Sequence, residues 1–170
     1  MVDLLELTGS TTAAAAMLQI SQPSVSRRYR ALADELGLSR GSRKPLGRRY
    51  GDAAWLDLLR RGVNRHRHDC GVLRVGGAPG LSELLGEHDW IEWVELSGPA
   101  QTQWPRLLRL ELLDAVLLEN ADNTIDRPEP GRLEVVTIER AAAAPLLLIC
   151  RSDPSVLEIA GRHGAPLELR

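Results

Sequence analysis

Apolar residues fall in short blocks along the chain, and their spacing changes character near residue 70. Leu4, Leu5 and Leu7, followed by Gly9, predict a short first helix with a glycine stop. Ser10, Thr11 and Thr12 then offer N-caps to a second helix, Ala13 to Leu18. Its four consecutive alanines favour helix and leave so little bulk that a neighbouring helix can approach closely. Ile20 is an apolar plug for the turn that follows. A third helix has Ser21 as its N-cap and Pro23 in its first turn, where the missing N–H costs nothing, and Gly37 ends it. Val25, Tyr29, Leu32, Ala33 and Leu36 recur at helical spacing and form its buried face. Gln22, Ser24, Ser26, Arg27 and Arg30 lie outside that face.

Asp52 can cap a further helix from Ala53 to about Arg67, with Trp55, Leu58, Leu59 and Val63 along one stripe. From residue 71 the pattern alternates between strand and helix. It predicts an apolar strand, a Gly-rich loop and a helix from Pro79, then a strand at Trp90–Leu96, a helix at Trp104–Leu112 and a strand at Ala115–Glu119. After a loop at Asp122–Gly131 come strands at Leu133–Glu139 and Leu146–Cys150 and a helix at Pro154–His163. This is an α/β sheet of partly parallel order behind an all-α front end. The expected organisation is a helical module over 1–51, a linker helix over 52–70 and an α/β region over 71–170.

Composition narrows the class. The 170 residues are 44% hydrophobic and 26% charged, as in a folded chain, and with no Phe the core must be mostly Leu, Val, Ile and Ala. The net charge of −2 hides a split. Residues 1–70 hold 12 Lys/Arg against 7 Asp/Glu, whereas residues 71–170 hold 9 against 16. A basic front and an acidic back suit a polyanion-binding module joined to something kept off the polyanion. Of the basic residues only Lys44 is not Arg, and with the abundant Ala and Leu this bias resembles a GC-rich prokaryotic genome. Cys70 and Cys150 are too few and too far apart for a disulfide framework or a zinc pattern. Asp3 and Glu6 stand where a signal peptide carries positive charge, and Ala141–Cys150, interrupted by Pro145, is far short of the ~20 residues that span a bilayer. A cytoplasmic location, no cofactor and no membrane partner are expected.

The third helix carries the candidate chemistry. Polar side chains able to meet base edges stand at its start, with guanidinium groups one turn on, and its first-turn N–H groups can face a phosphate. A recognition helix enters the major groove in this sense, Arg pairing with guanine and Gln with adenine. An ordinary amphipathic helix with a solvated basic face fits the same physics. The segment "TGSTTAAAAMLQISQPSVSRRYRALADELGL", Thr8 to Leu38, resembles the DNA-binding segment of LysR-type transcriptional regulators, densely so from Thr8 to Gly37. The resemblance implies a winged helix-turn-helix in which Gln22, Pro23, Ser26 and Arg27 approach bases or nearby backbone and Ser24 and Arg30 contact phosphate. "LSRGSRKPLGRRYGD" then stands where that family has its β-hairpin wing, with Arg40, Arg43, Lys44 and Arg48 as phosphate grips. Ser39 replaces the usual aromatic residue, and the motif after the wing is degraded.

In that family the linker helix pairs with that of a second subunit, which makes Trp55, Leu58, Leu59 and Val63 either a dimer seam or a face packed on its own chain. "LRVGGAPG", "LELLDAVLLEN" and "PLLLICRSDPSV" resemble segments of its effector domain, a periplasmic-binding-protein-like fold of two lobes. The sequence stops at Arg170, about where the chain crosses to the second lobe, so only a partial, first-lobe region is expected. The implied effector positions are Gly77, Ala78, Gly98, Pro99 and Asn120, without the hydroxyl residues common after the first strand. A half-built cleft encloses little of a ligand, so self-association of the exposed sheet, giving a homodimer or higher oligomer, is expected over effector binding. "HRHDC", His66 to Cys70, reads as a polar hinge, because His66 and His68 diverge on a helix. Gly76–Gly80 lacks the residues of a phosphate loop, and no nucleophile–base order or carboxylate pair supports an enzyme. The expected function is a regulator that binds double-stranded DNA; the alternative is a small-molecule sensor centred on the α/β half.

Overall fold

The computed structural model describes residues 1–85, 88–119, 133–138 and 146–163. Three helices open the chain: α1 (Val2–Thr8), α2 (Thr11–Met17) and α3 (Gln22–Leu36). Gly9 and Gly37 end α1 and α3 in the left-handed conformation, with φ of 64° and 63°, so both predicted glycine stops form. The linker helix α4 spans Ala54–Asp69. The remainder runs β1 (Leu73–Gly77), α5 (Leu81–Leu85), β2 (Ile91–Glu95), α6 (Gly98–Thr102), α7 (Trp104–Arg109), β3 (Ala115–Glu119), β4 (Leu133–Ile138), β5 (Leu146–Arg151) and α8 (Pro154–His163). The strands form one sheet in the order β2-β1-β3-β5-β4. β1 is parallel to β2 and β3, and β5 is antiparallel to both β3 and β4, the partly parallel order expected.

Side-chain alternation divides the core. Leu73, Val75, Ala115, Leu117, Leu148 and Cys150 pack with Leu81 of α5 and Val156 and Ile159 of α8. On the other face Val94, Val116 and Ile149 join Leu107 and Leu108 of α7 and also Leu5, Leu7, Ala14 and Val25 of the N-terminal helices. The sheet is therefore covered on both sides, and the exposed apolar sheet face expected from the sequence is absent among the described residues. The reason is α1, which buries Leu4, Leu5 and Leu7 and packs on both α2 and β2. The large exposed apolar side chains among the described residues are instead Leu36 on α3 and Trp55, Leu58, Leu59 and Val63 on α4. No helix among them is long and apolar enough to cross a membrane.

α4 has inverted polarity. Its inward face carries Leu56 but also the buried Arg60, Asn64 and Arg67, while Leu58, Leu59 and Val63 are 67%, 53% and 50% exposed. The buried cations are matched by acids from distant segments. Arg60 donates to Asp3 Oδ1 at 2.8 and 3.0 Å, to Asp57 at 2.9 Å and to the Leu110 carbonyl at 3.3 Å. Asn64 donates to the Glu111 carbonyl at 2.8 Å. Asp114, fully buried at the start of β3, accepts from the Arg67 guanidinium, from the backbone N–H of Arg74 at 2.8 Å and from Arg151 at 3.1 Å, and lies 3.0 Å from His68 Nε2. The segment read as a polar hinge is thus the last turn of α4, fixed to the sheet by Arg67 and His68.

Burial alone would raise the Asp114 pKa, but the His68 hydrogen bond, the Arg67 charge and the Arg74 N–H together hold it well below the usual carboxylate range. Asp114→Asn leaves the arginines facing a neutral amide and is expected to cost about 3–5 kcal/mol at pH 7, measured by denaturant unfolding. A carboxyl depressed in the folded state stabilises fully above its unfolded pKa, about 3.9, and loses that contribution as pH falls toward the folded value. The penalty of the variant should therefore shrink below about pH 4. A penalty that stays constant down to pH 2.5, roughly, would show that the ionised carboxylate is not what holds α4.

Candidate nucleic-acid interface

α2 and α3 form a helix-turn-helix whose geometry follows from capping and small side chains. Ser10 Oγ accepts the N–H of Thr12 and Ala13 at 3.2 and 3.3 Å, which starts α2. Ala14 and Ala15 are buried against α3, where Val25 is the buried contact. The turn carries a left-handed Gln19, with φ 52°, and Ile20 packs on the core as expected. Ser21 Oγ accepts the Ser24 N–H at 3.3 Å to start α3. Tyr29, Leu32 and Ala33 are half-buried along the predicted inner face, while Leu36 is exposed.

Gln22 Nε2 donates to Thr11 Oγ1 at 2.9 Å and to Ser26 Oγ at 3.1 Å, which joins the first residues of the two helices. Pro23 is exposed beside it, and Ser24 Oγ lies 2.8 Å from Ser21 Oγ. Arg27 and Arg30 are exposed and carry no ion pair among the described residues. Arg28, which the sequence reading passed over, is equally exposed; it lies one residue round the helix from Arg27, and that spacing alone could have found it.

No strand forms over residues 39–53, so the hairpin wing expected there is replaced by a sequence of turns. A single contact of hairpin type, Gly41 N–H to the Arg49 carbonyl at 2.8 Å, closes the loop. The cause is a long-range capture: Glu6, buried on α1, accepts the N–H of Gly47 at 2.8 Å and of Tyr50 at 2.6 Å. Gly47 takes φ 87°, and its Cβ position is filled by Leu110 and Leu112, so the loop lies on the sheet domain instead of projecting as a ribbon. Burial raises the Glu6 pKa, and the two amides offset that only in part.

The four predicted loop cations separate. Arg43 is exposed and unpaired among the described residues. Arg40 rests on the Tyr50 ring at 5.0 Å, and Tyr29 of α3 donates to the Tyr50 carbonyl at 2.8 Å, which sets Arg40 beside the helix. Lys44 reaches Asp52 at 3.5 Å. Arg48 is turned to Asp57 in a bidentate pair at 2.9 and 2.7 Å and fastens the loop to α4.

A cleft of about 100 Å3 lies at the ends of β1 and β3, lined among others by Gly77, Ala78, Leu96, Gln101 and Glu119. Gly98 and Pro99 open α6, whose Gln101 reaches this cleft; Asn120 lies outside the described residues. Among the described residues no cluster of three or more His, Cys, Asp or Glu is placed to hold a metal ion.

No protein-family model and no curated protein matches the chain. Among solved structures it is similar to a Pseudomonas aeruginosa protein provisionally described as a LysR family transcriptional regulator, at 20% identity and a TM-score of 0.29. That likeness covers 81% of this chain, which spans about half (50%) of the other.

Glu6→Ala strands the buried N–H groups of Gly47 and Tyr50 and is expected to destabilise the protein by about 2–4 kcal/mol. Hydrogen exchange at these two amides should accelerate well beyond that of Val25 in α3. Uniform acceleration would mean that Glu6 is a general core residue and not the fastening of the loop.

Proposed function

We propose that the protein is a sequence-specific DNA-binding transcriptional regulator of LysR type that acts as a dimer. The observation that carries this reading is the charge layout of α3. Arg27, Arg28 and Arg30 stand exposed within its first nine residues, with Gln22, Ser24 and Ser26, whereas Asp34 and Glu35 are exposed among its last three. Acid in the last turn repels phosphate, so the helix meets a duplex N-terminus first, with donors toward base edges. Arg43 and the Tyr50-seated Arg40 supply phosphate contacts beside it, while Arg48 acts by holding the loop. A solvated basic face does not need arginine segregated from acid along one helix, and this favours the DNA reading. A genomic target places the protein in the cytoplasm.

The exposed α4 stripe supports a second copy as the partner. Leu58, Leu59 and Val63 flank Gly62, whose Cβ position meets nothing within 4 Å. A glycine inside a helix costs roughly 0.5–1 kcal/mol relative to alanine, and close approach of another backbone is the usual compensation. Two copies also provide two reading helices for half-sites about 34–36 Å apart, or a multiple of that, on one face of the duplex.

Arg27→Ala should cost about 1–3 kcal/mol on a duplex selected from a random pool and relax preference at one base position. Arg43→Ala should weaken all sequences alike and reduce the salt slope by about one unit. Equal, sequence-blind losses in competition binding would remove base reading from Arg27.

Leu58→Glu combined with Leu59→Glu changes only exposed side chains and should leave the thermal midpoint within a few degrees of wild type. Sedimentation should then report monomers, with cooperative DNA binding lost. A variant that still sediments as a dimer would move the seam off α4.

A further inference from the structure

We propose that His66 and Cys70 of α4, with the same two residues of a second copy, form a four-ligand site for a divalent metal of zinc type at the dimer seam. This rests on the α4 dimer proposed above and not on DNA binding. The two histidines of "HRHDC" diverge at the end of α4. His68 turns inward, with Nε2 3.0 Å from Asp114, whereas His66 is exposed. The residue that shares the face of His66 is Cys70, a free and exposed cysteine. Its backbone N–H donates to the His66 carbonyl at 3.1 Å, the bond of an α-helical turn, so the two residues stand one turn apart on the same side. Asp69, a further ligand type on this turn, pairs with Arg65 at 3.0 Å. An imidazole and a thiol four residues apart on one helical face can chelate one ion, as two histidines do in zinc-binding helices.

One chain supplies two ligands, and among the described residues no group of three or more His, Cys, Asp or Glu completes a site within it. A second copy supplies the other two. Leu59, Val63, His66 and Cys70 follow one another at intervals of four, three and four, in line along the exposed side of α4. That spacing is the one a seam between two helices uses. Two α4 helices packed in parallel about a two-fold axis set each residue of the line opposite its own copy, with helix axes about 8–10 Å apart. Leu59 and Val63 then close the apolar part, and the last turn brings two imidazoles and two thiols round the axis. Two nitrogens and two sulfurs are the donor set of a closed tetrahedral zinc site. Two thiolates balance the charge of the ion, and sulfur donors select against Mg2+ and Ca2+, which take oxygen. An antiparallel pair crossing at Leu59 would hold the His66–Cys70 turns apart, so the site also fixes the sense of the dimer. Only the dimer offers four ligands, and the ion and the second copy therefore bind together.

The test uses the whole chain under a phosphine reductant, with Zn2+ as the ion and Co2+ as its coloured substitute. Co2+ should bind at one ion per two chains and give the intense visible and near-ultraviolet bands of a tetrahedral thiolate site. With free Zn2+ at about ten times its dissociation constant, sedimentation should show the dimer tightened roughly tenfold. Cys70→Ser and His66→Ala alter exposed side chains, and each should remove the Zn2+ effect while the thermal midpoint in EDTA stays that of wild type. One ion per chain, or a full response in C70S, overturns the site. A dimer that tightens on oxidation but not with Zn2+ assigns Cys70 to a disulfide and overturns it as well. A wild type that is dimeric and indifferent to metal removes the site and leaves the α4 seam standing. A chain that is monomeric with and without Zn2+ removes both. If the Leu58→Glu, Leu59→Glu variant still takes up one Co2+ per two chains, the site stands without the apolar seam.

Discussion

The arginines that α4 turns toward its own chain set the constraint on which the other elements depend. Arg60 and Arg67 are buried, and leaving either cation unpaired would cost several kcal/mol. Asp57 of the same helix meets Arg60, but the long-range partners are Asp3 of α1 for Arg60 and Asp114 at the start of β3 for Arg67, 57 and 47 residues distant in sequence. Buried pairs of this kind add little net stability compared with apolar packing, but breaking one is expensive. Their consequence is orientation. A helix with Leu58, Leu59 and Val63 on one side would ordinarily roll that side inward, and the aspartates make the opposite roll the cheaper one. The apolar stripe faces out because the charged stripe is held in.

The same aspartates tie the front of the chain to the back. Asp3 lies on α1 and fixes it to α4, Asp114 fixes α4 to the sheet, and α1 is already buried between α2 and β2. The N-terminal helices and one face of the sheet consequently share a single apolar core. Separating them would expose Leu5 and Leu7 and break the Ser97–Leu7 contact. Arg106 Nε adds a 2.8 Å bond to the Leu46 carbonyl at the same seam. α2 and α3 are held on the same core as the sheet.

Local signals in the sequence locate most elements. Capping serines at 10 and 21, glycine stops at 9 and 37 and the short apolar runs of the strands were each sufficient, because each is decided within a few residues. β3 and α8 fall on the expected residues, and β2, β4 and β5 lie within one residue of theirs at each described end. What was not legible depends on distant partners. The hairpin wing is absent because Glu6 captures amides 41 and 44 residues away. The stripe of α4 was visible, but its outward direction depends on Asp3 and Asp114. Arg48 looked like its basic neighbours until Asp57 was placed beside it. α6 was missed because five residues without a side-chain cap give no periodic signal. Arg27 and Arg30 were identifiable as exposed from helical spacing, since nothing distant competes for them.

The rigid joining of the two halves gives the charge split a physical role. Glu83, Asp89, Glu95, Glu119 and Glu158 are exposed on the α/β part, opposite in sign to α3 and the loop. If the halves were flexibly linked, these acids would sample many positions, and their repulsion of a polyanion would average out. Held on a common core, they keep fixed positions relative to α3. At physiological salt each acid acts over roughly 8 Å, one Debye length, so it is felt only by charge in its immediate neighbourhood. At about 0.01 M salt the range grows to roughly 30 Å, and the acids then oppose association as a whole while the arginines favour it. The net charge of −2 is thus a poor guide to behaviour toward any charged molecule: the arrangement of charge on the joined halves decides the approach, and ionic strength decides how much of the surface takes part.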